Sequence, residues 1–146
     1  MQQPGCVFCD GIGGALVFQC AKFRVIRAEE AGFPAFYRLV WSEHVREFSD
    51  LPQADRYLCT DAITQVEQLL RQHLRPAKVN LASLGNLVPH LHWHIIARFE
   101  WDSHFPAPVW AAAQREAGSG ELARVESSLA ALEKEMTLLL ARACGA

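Results

Sequence analysis

His90, His92 and His94 alternate with Leu91, Trp93 and Ile95, so three of the chain's six histidines fall within five residues. On a strand the side-chain period is two, which puts all three imidazoles on one face. Leu91, Trp93 and Ile95 then face the core. Same-face neighbours stand about 7 Å apart, close enough for three rings to surround one small anion. Packing alone does not explain such a row, because each buried ring nitrogen needs a partner. Two chemistries remain open. An HxH pair on a strand can hold zinc through two nitrogens, with further ligands from elsewhere. Alternatively, a neutral imidazole near pH 7 is a good nucleophile toward phosphorus, with neighbouring donors to neutralise the phosphoryl oxygens. The preceding turn favours the second. Gly85 allows close backbone approach, Asn86 offers an amide, and the N–H groups of Leu87 and Val88 can point at an anion.

A second cluster is Cys6-Val7-Phe8-Cys9, a CxxC pair among five cysteines. Two ligands are not a metal site, and nothing after the pair reads as the helix that would make a redox thiol. Gly11 to Gly14 reads as a turn, since no strand precedes it in a βαβ unit. Asp102 and His104 are candidates for proton transfer that spacing does not place, and His73 is expected on the solvated side of a helix. Phe99, Trp101, Phe105 and Trp110 read first as packing in an ordered loop, with stacking on a base as the alternative.

These side chains need a scaffold. ALVFQC (15–20), FRVIRA (23–28) and FYRLVW (36–41) read as strands. Asp50 is an acceptable N-cap and Pro52 suits the start of a helix. Leu58, Ala62, Val66, Leu69, Leu70 and Leu74 keep a 3.6-residue rhythm that Pro76 ends. Residues 78–83 and 90–99 read as strands, and 101–110 as an ordered loop. After a glycine-containing hinge at 117–120, Leu122, Val125, Leu129, Leu132, Met136 and Leu139 mark a helix of about six turns. Its apolar stripe suits packing on its own domain or on a dimer partner. The elements predict an α+β fold with a mainly antiparallel sheet, one long helix and an additional C-terminal helix. A unit over 1–110 is expected to carry the site, with 111–146 as a helical extension.

The chain's 146 residues are 51% hydrophobic and 21% charged, which suits one ordered domain. Such a domain buries about 70% of the surface its unfolded chain exposes, without help from disulfides. Fourteen Lys and Arg against sixteen Asp and Glu speak against a nucleic-acid-coating surface. No apolar run is long enough to span a bilayer. The first basic residue is Lys22, so no signal peptide is expected, and an odd cysteine count then suits reduced thiols in a cytoplasmic setting.

The run from Asn80 through Gly85-Asn86-Leu87-Val88-Pro89 to His90-Leu91-His92-Trp93-His94-Ile95-Ile96 resembles the signature of the histidine triad (HIT) nucleotide hydrolases and transferases. The resemblance runs from the CxxC start to about Phe99, and the segment from Asp102 to Trp110 resembles a small bacterial subgroup. It implies that His92 attacks the α-phosphorus of a nucleoside phosphoramidate or dinucleoside polyphosphate and forms a nucleotidyl-histidine. The carbonyl of His90 would set the tautomer of His92. His94, Asn86 and Asn80, with the Gly85, Leu87 and Val88 backbone, would bind phosphate or nucleotide. No cofactor is needed for this chemistry. The resemblance also implies a homodimer, and a structural zinc held by Cys6, Cys9, His44 and His90. Two departures stand out: Leu87 replaces a frequent serine, and Phe36 stands where many members have a fourth histidine. Glu29 or Glu30 could hold ribose hydroxyls. A nucleotidyltransferase, a zinc hydrolase with the triad as ligands, and a non-catalytic nucleotide-binding module are the rival readings.

Overall fold

The computed structural model describes residues 1–145; Ala146, the last residue of the expected extension, lies outside them. The strands β1 (Ala15–Gln19), β2 (Phe23–Arg27), β3 (Phe36–Trp41), β4 (Lys78–Ala82) and β5 (His92–Arg98) form one antiparallel sheet in the order β1-β2-β3-β5-β4. The helices are α1 (Val7–Asp10), α2 (Gln53–Leu74) and α3 (Ser119–Ala143). The fold is α+β with one long helix and a second at the C-terminus, as the patterning predicts.

The two faces of the sheet follow from strand alternation. Phe23, Val25, Tyr37, Leu39, Trp41 and Ile95 are buried under α2 and α3. Helix α2 buries Ala62, Val66, Leu69 and Leu70 of the expected stripe together with Cys59 and Ile63, while Leu58 and Leu74 are half-buried. Each large apolar side chain so buried contributes about 1.5–3 kcal/mol. Helix α3 lays Val125, Leu129, Leu132, Met136 and Leu140 into the same core, against α2 and β1. Those five residues of its stripe pack within the chain.

The opposite face carries the histidines. Short α1 folds over it, and Phe8 packs on Ile26 and Val40. Gly13 and Gly14 make that crossing feasible: a Cβ on Gly13 would stand 2.7 Å from the Phe8 ring, and one on Gly14 would stand 2.6 Å from the Arg27 carbonyl oxygen.

Several local expectations change. Asp50 does not cap α2, whose N-cap is Pro52; it belongs to a 3-10 turn at Phe48–Asp50, where its carboxylate accepts from the Glu47 amide at 3.4 Å. Helix α3 starts at Ser119, so the glycine-containing segment is its first turn rather than a hinge, and its 25 residues make about seven turns. The CxxC segment is itself one helical turn. His73 is only partly solvated: its Nε2 lies 2.6 Å from a Glu135 carboxylate oxygen, joining α2 to α3.

Candidate active site and metal centre

Strand β5 begins at His92, two residues later than the alternation alone predicts. The reason is local. Leu91 pairs with the Val45 carbonyl and the Trp41 amide. The His90 carbonyl turns to the imidazole of His92 instead, with Nδ1 of His92 2.6 Å away. A carbonyl can only accept, so Nδ1 carries the proton and Nε2 of His92 keeps its lone pair. Burial pushes the His92 pKa down, partly offset by the bond to the His90 carbonyl, while the Arg38 charge lowers it further. The result is a neutral imidazole with one basic nitrogen. Phe8 packs edge-on against the ring at 4.9 Å between centroids. Ser83, from the end of β4, donates to the His92 carbonyl at 2.9 Å and steadies the backbone from the other side.

His90 is fully buried and set by the same logic. Its Nε2 donates to the Trp41 carbonyl at 2.6 Å, leaving the Nδ1 lone pair facing Cys6 Sγ at 3.4 Å and Cys9 Sγ at 3.5 Å. Nδ1 of His44 lies 3.5 Å from Cys9 Sγ. The ligand atoms of Cys6, Cys9, His44 and His90 all lie within 4.8 Å of one another, so these four residues are placed to bind a metal ion. The donor set suits zinc. A tetrahedron of Cys and His ligands has edges of roughly 3.3–3.8 Å, the spacing of the close pairs here. Arg24 holds this segment down by donating to the carbonyls of Ile12 at 3.0 Å, Phe8 at 2.9 Å and Gly11 at 2.9 Å.

His94 ends the row. Its ring packs against those of His92 at 5.0 Å, Phe36 at 5.6 Å and Trp110 at 5.1 Å. Phe36 thus occupies the space beside the third histidine. Burial, with help from His92 and Arg38, pushes the His94 pKa down to about 4. His94 is therefore neutral at neutral pH.

The remaining candidates are spread unevenly. Asn80 lies on the same face, opposite Ile96, and its side-chain oxygen accepts from Arg98 at 2.9 Å. It lines a cleft of about 650 Å³ with Ala82, Arg98, Phe105 and Trp110. Gly85 adopts φ +72°, a left-handed conformation natural to glycine, and starts the loop that leads to His90. Asn86 and Leu87 are exposed, Leu87 by 93%, while Val88 packs against the Phe8–Ile26–Val40 cluster. Glu30 lies 3.8 Å from Arg38. Asp102 and His104 do not join the triad. Asp102 accepts from Arg98 and from the amides of Phe99, His104 and Phe105, and organises the loop. His104 pairs with Ser103 at 2.7 Å and packs on Phe33.

Arg24, Arg38 and Ser83 escaped sequence reasoning. Arg38 alone left a signal, as the charged residue in the strand FYRLVW, but its meaning depends on β3 lying beside β5.

A histidine row on one face of an antiparallel sheet, opposite the face that the long helices cover, with its middle ring held by a backbone carbonyl, defines a histidine triad protein. The HIT domain family model matches residues 12–101, and the chain belongs to that family. It is similar to a histidine triad protein from Bradyrhizobium japonicum, at 29% identity over 86% of this chain and 92% of that one, with a TM-score of 0.71. It is likewise similar to a histidine triad protein from Sinorhizobium meliloti 1021, at 27% identity over 85% and 90%, with a TM-score of 0.68. A histidine triad protein from Marinobacter aquaeolei VT8 shares the fold, at 23% identity over 86% and 93%, with a TM-score of 0.68. No curated protein matches the sequence. No helix among the described residues is long and apolar enough to cross a membrane.

Proposed function

We infer that the protein hydrolyses a nucleotide at its α-phosphorus, with a nucleoside phosphoramidate or a dinucleoside polyphosphate as substrate. The observation that carries this reading is the 2.6 Å bond from Nδ1 of His92 to the His90 carbonyl, which leaves Nε2 basic on the histidine face of the sheet. In the first step Nε2 attacks phosphorus. The Nε2–P bond forms, and the bond from phosphorus to the amine nitrogen or bridging oxygen breaks. The leaving group departs with the bonding pair and takes a proton from solvent, since Leu87 offers no hydroxyl. Water then attacks the nucleotidyl-histidine, the Nε2–P bond breaks, and nucleoside monophosphate leaves with His92 neutral again. Neutral His94, Asn86 and the Gly85–Val88 backbone serve the phosphate, and Asn80 the adjoining cleft.

Cys6, Cys9, His44 and His90 would hold zinc as a closed structural site. The ion would fasten α1 to the sheet and fix His90 as the orienting neighbour of His92. In this reading residues 1–110 carry the catalysis and 111–146 complete the core, and the protein works as a homodimer. Light scattering in solution tests the dimer.

The central test is His92→Ala, assayed for monophosphate release from both substrate classes. The expected loss is about 10³-fold or more in kcat, with the melting temperature held within a few degrees. Acid-quenched wild type should carry a nucleotidyl adduct that the variant lacks. Unchanged turnover defeats the nucleophile assignment. A trapped adduct that passes its nucleotide to phosphate or sugar acceptors faster than to water makes the protein a transferase.

A further inference from the structure

Three arginines stand on the histidine face, and two are spent on the fold. Arg24 donates to three backbone carbonyls. Arg98 is 2% exposed and donates to Asp102 twice, to Asn80 and to the Ala107 carbonyl. Arg38 differs. Its one hydrogen bond among the described residues runs from Nε to Nδ1 of His94, at 3.4 Å. Its ion pair with Glu30 is loose, at 3.8 Å, and the Glu30 side chain is 52% exposed. A guanidinium has five N–H donors in a planar fork that matches phosphate oxygens. Most of that fork is unused, although the side chain is only 20% exposed.

Its position is set by the sheet. In the β3–β5 ladder Arg38 is directly opposite His94, and Val40 is opposite His92. Facing residues of an antiparallel pair share a side of the sheet, so Arg38 shares the side of the nucleophile. Its guanidinium lies over the Phe36 ring at 5.1 Å, which keeps it beside the row of histidines.

We propose that Arg38 is a phosphate-binding residue of this site, taking phosphoryl oxygens of the nucleotide on the His94 side of His92. This rests on the functional reading above and names its anion-binding group. Two physical points support it. First, the site has to neutralise a phosphate, and His94 is neutral at neutral pH, so the positive charge must come from another residue. Second, Arg38 donates to Nδ1 of His94, which leaves the His94 proton on Nε2. The pair then presents a cationic fork and a neutral N–H donor side by side. Glu30 balances the charge in the free protein, and an incoming anion replaces that weak pair with shorter, charge-assisted bonds.

The test is calorimetric titration of wild type, Arg38→Gln and Arg38→Lys with the four common nucleoside monophosphates, the matching nucleosides and inorganic pyrophosphate. The expected result is a loss of about 10- to 100-fold in monophosphate affinity for Arg38→Gln, with nucleoside affinity within about twofold of wild type. Arg38→Lys should recover part of that loss, because it restores the charge but not the fork. Equal weakening of monophosphate and nucleoside, or no weakening of either, overturns the proposal. Pyrophosphate separates this from the functional reading. Arg38-dependent pyrophosphate binding without nucleotide binding upholds the anion site and defeats the nucleotide assignment. Wild type that binds none of the three defeats both.

Discussion

The row of histidines has two unlike ends. At the His90 end every polar group has a partner: the amide bonds the Val88 carbonyl, the carbonyl holds His92, Nε2 meets Trp41 and Nδ1 faces two thiols. At the His94 end the ring is also buried, but its surroundings are not closed. Trp110 over His94 is 52% exposed, and Arg38 keeps most of its donors unspent. A nucleophile needs both kinds of neighbour. The closed end sets the tautomer and aim of His92, and the open end leaves room for what His92 attacks. The comparison therefore separates two outcomes: damage to the closed end, or to the buried support beneath either end, should appear as lost stability, and removal of a side chain that lines the open end as lost affinity.

The largest effect should follow Cys6→Ser together with Cys9→Ser. If zinc is held there, wild type purified without added metal carries about one equivalent by elemental analysis, and the double variant carries none. Structural zinc contributes strongly to folding, but this chain also has its own core. A loss of more than about 5 kcal/mol is expected, seen as a fall in melting temperature of roughly 10 °C or more. A chelator should move wild type the same way and leave the variant unchanged. His94→Ala should shift the melting temperature far less. If the cysteine variant melts like wild type, the closed end does not brace the fold and the comparison fails.

Next comes Asp102→Asn, which probes the support beneath the open end. Burial by itself would raise the Asp102 carboxyl, but Arg98 and the amides of Phe99 and His104 outweigh it and hold it below the usual carboxylate range. A carboxyl depressed in the folded state stabilises above its unfolded pKa of about 3.9, and that stability is lost as pH falls through the folded value. The variant leaves the Arg98 charge buried without its partner, which should cost about 3 kcal/mol in urea unfolding at pH 7. The gap to wild type should narrow only below about pH 3.9. A gap that is constant across the range would mean the carboxylate charge is not what organises the loop.

Much of the molecule was legible in sequence because local period decides it. The HxHxH alternation announced the shared face, the 3.6-residue rhythm announced α2, and Pro76 announced its end. Spacing marked the Cys6–Cys9 pair, but family resemblance completed the four candidate metal ligands, since His44 is 35 residues from Cys9 and 46 from His90 in sequence. What stayed hidden depends on which elements become neighbours. The His73–Glu135 contact joins residues 62 apart, and Arg38 gained a meaning only when β3 took its place beside β5. The start of β5 at His92, two residues later than the alternation suggests, is a detail that no side-chain pattern encodes.

The smallest expected effect is Trp110→Ala. The indole lies edge-on to His94 and lines the cleft that also holds Asn80, yet half of it meets solvent. It contributes little to the core, so the melting temperature should stay within about 2 °C. If it borders the bound substrate, KM should rise by about 3- to 10-fold, the range for one aromatic contact, with kcat within about twofold. A fall in kcat at constant KM would carry a different meaning. Trp110 would then be holding the His94 ring for catalysis, and the His94 end would owe its order to a side chain and not only to the sheet. That result would sharpen the division between a closed and an open end into one between backbone-held and side-chain-held histidines.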